Sequence, residues 1–142
     1  MKTILTSALI LLIGITSLNA QTIKNKQHDS SKNNYVVLTK KVAQLKPIFL
    51  AAEALANEDG NNYGDFQVII CGKTVEDLAN KELMHDFLHQ AKKQHISIVA
   101  CGFSLKKFKV SKEDLSEQIE VVDNGILYDF QLQKKGYHNI AL

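Results

Sequence analysis

Four short apolar runs constrain this chain most: residues 35–38, 66–70, 96–100 and 119–122. They are largely continuous rather than alternating. A strand with one wet face alternates apolar and polar residues, whereas a strand covered on both faces has no need to. Stretches of helical periodicity lie between the runs, and residues 137–142 supply a last short strand. Strands alternating with helices predict an α/β domain built on a parallel sheet covered on both faces. Such folds place their sites at the carboxyl ends of the strands.

The intervening stretches carry their own signals. Ile48, Ala51, Ala52 and Leu55 recur at helical spacing, and Pro47 suits a first helical turn. Residues 57–64 are polar and rich in Gly and Asn, and read as a loop. Thr74 to Asp77 resembles a capping box ahead of a longer helix, with Leu83, Phe87, Leu88 and Ala91 as its buried face. Residues 111–114 read as a capped turn. Residues 125–135 read as a helix with Ile126, Leu127 and Phe130 facing the core, and Gly136 is its stop.

The first twenty residues stand apart. Lys2 precedes an apolar stretch over residues 4–18, and Leu18-Asn19-Ala20 offers a small-residue cleavage site before Gln21. This reads as a secretory signal peptide over residues 1–20, and so predicts a periplasmic or secreted protein. A membrane anchor is the rival reading, but a spanning helix needs about 20 apolar residues and this run is shorter. No stable membrane insertion is expected once the signal is cleaved, and no Cys near the cleavage site offers a lipid anchor. Residues 21–34 are polar and without periodicity, and read as a flexible leader. His28 and Asp29 fall in it as solvated residues. Residues 35–142 make a single domain.

The chain carries a net charge of +2, with its lysines scattered and no aromatic-basic stripe. Nucleic acid is therefore not an expected partner. No Gly-rich phosphate loop, Ser-His-Asp order or zinc-type Cys spacing is present, so neither a cofactor nor a metal is expected. Glu76, Asp77, Glu113 and Asp114 fall in first helical turns, where they complement the helix dipole rather than forming an acid–base pair. His85 and His89 are four apart on a helix but read as a solvated face, and His95 as a loop residue.

Chemistry concentrates on Cys101. It ends the third apolar run, and Gly102 and Ser104 read as the turn into a helix. A thiol facing a helix N-terminus is biased toward thiolate, the nucleophilic form. Gly102 leaves room beside the sulfur, and Lys106 and Lys107 add positive potential if their stretch folds back. The alternative is a small buried hydrophobe. Cys71-Gly72 ends the second run and Asp123-Asn124 the fourth, so Cys71, Cys101 and Asn124 should open on one side of the sheet.

Four stretches, 68–75, 98–105, 121–125 and 131–137, together resemble the DsrE/DsrF-like family over residues 35–142. The resemblance implies a three-layer α/β/α domain with a mainly parallel five-stranded sheet, assembling as a homo-oligomer, a trimer or hexamer. In sulfur-relay members a persulfide is carried on the cysteine after the third strand, and Cys101 matches that position. The implied function is thiol-based sulfur carriage, closer to sulfur transfer than to turnover of a metabolite, with a sulfur donor or acceptor protein as partner. Gly72, Gly102, Ser104 and Asn124 would form the rim. Two features set this chain apart from relay members: its export signal, and Cys71.

Cys71 has three readings. It is a resolving thiol for Cys101, a static disulfide partner, or an inert strand-end residue. A disulfide would close a loop of about 30 residues and stabilise the fold by about 3–4 kcal/mol. The contrasting function is a non-catalytic oligomeric binding or assembly module with inert or disulfide-bonded cysteines. A third is a metal-binding protein using Cys101 with Cys71 or a helix His.

Overall fold

The computed structural model describes residues 31–142, so the expected signal peptide and most of the expected leader lie outside the described residues. Five strands form one sheet: β1 (Asn33–Thr39), β2 (Tyr63–Ile70), β3 (Ile96–Cys101), β4 (Ile119–Val122) and β5 (His138–Ala141). Their order is β4-β3-β2-β1-β5, and every pairing is parallel. Four helices connect them: α1 (Leu45–Asp59), α2 (Lys81–Lys93), α3 (Gly102–Lys107) and α4 (Gly125–Lys134). Among the described residues, no helix is long and apolar enough to cross a membrane.

The layering follows from handedness. Crossovers between parallel strands are right-handed. From β1 to β4 the chain steps in one direction, so α1, α2 and α3 cover one face, with Phe49, Met84 and Leu105 in its main core. The last connection returns past three strands to place β5 beside β1, so α4 lies on the opposite face. The expected three-layer α/β/α arrangement is thus present, but among the described residues its third layer is a single helix. Beneath it sits a smaller core of Val36, Leu38, Ile69, Cys71, Val99, Cys101, Leu132 and Tyr137.

Several local expectations change. Helix α1 runs through Asp59, and β2 already begins at Tyr63, so the expected 57–64 loop shrinks to a 3₁₀ turn. Asn34 explains the early strand: its Oδ1 accepts the Asp65 amide at 2.8 Å, capturing a polar stretch into the sheet. The Thr74–Asp77 pair forms, with the Thr74 hydroxyl donating to Asp77 Oδ2 at 2.9 Å. It does not cap a long helix, because residues 73–79 make a 3₁₀ stretch. Thr74 instead accepts the Val42 amide, tying two connections together. The N-cap of α2 is Asn80, whose Oδ1 accepts the Leu83 amide at 3.1 Å.

The register of α2 is correspondingly rotated. Met84, Leu88 and Ala91 are buried, Phe87 is partly so, and Leu83 is 42% exposed. Met84→Ala should lower unfolding free energy by about 2–5 kcal/mol, the cost of emptying a core site. Leu83→Ala should stay within about 0.5 kcal/mol of wild type. Denaturant unfolding of the two variants checks both values.

Candidate functional site

Strands β2 and β3 run in register, with Ile70 opposite Ala100 as the last pair. The next residue on each strand is a cysteine. Ile69 on β2 and Cys71 just past its end, like Val99 and Cys101 on β3, point to the α4 face. Cys71 and Cys101 therefore lie side by side at the carboxyl edge, packed in one small core beneath Gly125. Both are free, and both are buried, at 5% and 3% exposure.

The N-terminus of α4 closes over them. Asn124 is its N-cap, and Asn124 Oδ1 accepts the amides of Ile126 at 3.0 Å and Leu127 at 3.2 Å. That leaves the first helical amide, Gly125, unused by the cap. It donates to Cys101 Sγ at 3.2 Å. The helix end thus spends its otherwise unpaired donors on one amide oxygen and one sulfur. The expected neighbour of Cys101 was the helix after its own strand, α3. The first amide of α4 reaches the sulfur as well, beside the Ser104 amide in the first turn of α3, so two helix starts act on Cys101.

Glycine is required at position 125 by contact. A Cβ there would stand 2.7 Å from Cys71 Sγ, 2.9 Å from Ile69 Cγ2 and 3.0 Å from Cys101 Cβ. The helix can lie on the thiol pair only because that atom is missing. Gly102 acts differently from the expectation that it uncovers the sulfur. A Cβ there would meet the Val122 carbonyl oxygen at 2.8 Å, so Gly102 permits the β4 end to pass close. The adjacent Phe103 amide then bonds to Asp123 O at 2.8 Å, fixing the lead into α4.

Ser104 links the two cysteine loops. Its buried hydroxyl oxygen accepts the Gly72 amide at 2.9 Å, and its hydroxyl and amide favour the Cys101 thiolate. Gly72 itself holds φ +78°, a left-handed geometry that a side chain resists. Of the expected rim residues, Ser104 holds the Gly72 loop beside the cysteines, Asn124 caps the helix whose first amide meets the sulfur, and Gly72 and Gly102 shape the backbone. Lys106 and Lys107 are exposed, and Lys107 lies over the Phe108 ring at 5.7 Å from its centroid.

The two thiols are driven apart in acidity. Burial pushes Cys101 up, but the Ser104 hydroxyl, the Gly125 and Ser104 amides and the Cys71 thiol outweigh it and hold Cys101 below the ordinary cysteine value. Burial pushes Cys71 up to about 12, helped by the charge and hydrogen bond of Cys101 and by Asp129, with Lys40 opposing. One cysteine is prepared to be a thiolate and its neighbour to keep its proton.

The helical histidines take no part. His85 and His89 are exposed, and His85 pairs with Asp86 at 2.9 Å. Among the described residues, no three His, Cys, Asp or Glu side chains gather as a metal site. Sequence reasoning passed over Gly125 and Asp129. The signal for Gly125 was there: a Gly placed after the cap-forming Asp123-Asn124, at the start of a helix rather than its end.

The fold has solved counterparts. A protein of unknown function from Methanobacterium thermoautotrophicum superposes with a TM-score of 0.63 at 17% identity, over 78% of this chain and 100% of that one. A conserved protein of unknown function from Bacteroides thetaiotaomicron gives 0.57 at 20% identity, over 81% and 100%. These likenesses establish a shared α/β fold. No protein-family profile matches the chain, and no curated protein does.

Thiolate absorbance should rise in a first step below the ordinary cysteine range, and Cys101→Ser should abolish that step. Removing the Cys101 charge should also let Cys71 ionise at lower pH than in wild type. A pH titration of wild type and variant followed in the far ultraviolet checks both.

Proposed function

We propose that this chain is an exported DsrE/DsrF-like protein, periplasmic or secreted, that carries sulfane sulfur on Cys101. One observation carries the reading: a buried cysteine held below its ordinary pKa by the first amide of a helix and by Ser104. A buried thiol without such donors is an inert hydrophobe. The Cys101 thiolate would attack the outer sulfur of a donor persulfide. A new sulfur–sulfur bond forms on Cys101, and the donor leaves as its thiolate. Sulfur moves with no net oxidation, and reversal onto a partner thiol completes carriage. Exposed Asp123 and Asn124, just before buried Gly125, mark where a donor would approach.

Intact mass after exposure to a persulfide donor tests this. Wild type should gain one sulfur atom and Cys101→Ser none. Equal gain by both, or none by wild type, would reject the reading.

A homo-oligomer fits the surface of α4. Ile126, Leu127 and Phe130, expected in the core, are 56–57% exposed, and Phe103 beside the helix entry is 64% exposed. Grouped apolar exposure of this kind marks an interaction site. A second copy of the chain is the occupant proposed, since the low net charge imposes little repulsion between copies. Phe130→Glu should lower the solution mass to that of a monomer in light scattering, with the fold retained by circular dichroism. A monomeric wild type would exclude self-association through this face.

A further inference from the structure

The sulfur-carriage reading leaves Cys71 without a task, although it lies beside Cys101 on the neighbouring strand. Resting on that reading, we propose that Cys71 resolves a persulfide on Cys101, closing a Cys71–Cys101 disulfide beneath α4 and releasing hydrogen sulfide. The chain would then reduce sulfane sulfur as well as carry it.

Geometry selects the inner sulfur as the point of attack. Cys71 and Cys101 each follow the last in-register pair of β2 and β3, and a Cβ on Gly125 would stand 2.7 Å from Cys71 Sγ and 3.0 Å from Cys101 Cβ, so the Cys71 thiol lies beside Cys101 while the added sulfur would extend beyond Cys101 Sγ. Attack on the outer sulfur would only move the persulfide between cysteines. Attack on Cys101 Sγ expels the outer sulfur. The two strands are hydrogen-bonded neighbours in register, and adjacent strands lie about 4.8 Å apart. That spacing falls within the Cα separation of about 4.4–6.8 Å that disulfides adopt. No backbone rearrangement of the sheet is required.

The balance closes within the site. The proton on Cys71 passes to the outer sulfur as the Cys71 sulfur attacks Cys101 Sγ. The bond between Cys101 Sγ and the outer sulfur breaks, and its electron pair leaves with that sulfur as hydrogen sulfide. The sulfane sulfur is reduced and the two cysteines are oxidised to the disulfide. A dithiol protein from outside must reduce that disulfide before another round. Burial of Cys71 keeps its proton available at neutral pH. Loading also shifts the Cys101 charge outward by one sulfur, which relaxes the Coulomb pressure that holds Cys71 protonated. Gly125 completes the device, because its missing Cβ leaves the space in which Cys71 Sγ lies.

The test is a time course on the pre-reduced full chain. It is loaded with inorganic polysulfide, freed of donor, and followed by intact mass and sulfide trapping. Wild type should first gain one sulfur atom. It should then fall to two hydrogens below its starting mass, with one sulfide released per disulfide and Cys71 mapped to Cys101. Cys71→Ser should gain the sulfur and keep it. A wild-type persulfide that persists as long as that of Cys71→Ser, or sulfide release without the disulfide, would overturn the inference while leaving carriage intact. Failure of both proteins to load would instead overturn the carriage reading. If Cys71→Ser does not fold, the wild-type time course and peptide map decide alone.

Discussion

One helix must close an entire face of the sheet, and the thiol pair depends on how closely that helix can lie. Among the described residues the parallel sheet leaves α4 no companion, because the other three helices are committed to the opposite side by crossover handedness. Contact is therefore made locally. At the carboxyl edge Gly125 presses on Cys71, Cys101 and Ile69 with no side chain between. A larger residue would lift the helix and part the Gly125 amide from the sulfur. The acidity of Cys101 is in this sense a packing property.

Further along, polar bonds fix the roll of α4. Asp129 is buried, and its carboxylate accepts from Asn139 Nδ2 at 2.6 Å and Gln133 Nε2 at 2.9 Å. The Tyr128 hydroxyl donates to Gln67 Oε1 at 3.0 Å, and Gln67 Nε2 and the Tyr137 hydroxyl both donate to Asp65 Oδ2. Burial raises the Tyr137 hydroxyl, and the charge and hydrogen bond of Asp65 raise it further, so it remains a donor. Buried polar groups must be partnered, and a network this directional admits few helix orientations. Turning Ile126, Leu127 and Phe130 inward would strand Asp129 and Tyr128.

This explains what the sequence made legible. Strands buried on both faces announce themselves by composition, so β1, β2 and β3 could be read directly; the edge strands β4 and β5 are largely exposed and were legible from their place after a helix, β4 to the residue. The position of Cys101 at a strand end followed. Helix roll was less legible. On α2 the periodicity pointed to Leu83, whereas the helix capped by Asn80 buries Met84 in its place. On α4 the hydrophobic residues pointed to the wrong face, because partners for Asp129 and Tyr128 lie on β5 and β2, remote in sequence. The adjacency of Cys71 and Cys101 needed strand order, which no single stretch encodes.

The asymmetry of the two thiols follows from the same topology. Both end neighbouring strands, point to one face and are nearly equally buried, so burial alone would raise both. Donors break the symmetry. The cap by Asn124 frees the Gly125 amide, and that amide reaches Cys101 because β4 pairs with β3 rather than with β2. Ser104 follows Cys101 by three residues and adds donors to the same sulfur. Cys71 is followed by Gly72, whose amide is already given to Ser104 Oγ. It receives burial and a charged neighbour, with the Lys40 charge opposing. Once one thiol is favoured as thiolate, its charge raises the other, so the difference reinforces itself. A pair in which one sulfur is nucleophilic and the other retains a proton is the arrangement that stepwise sulfur exchange requires.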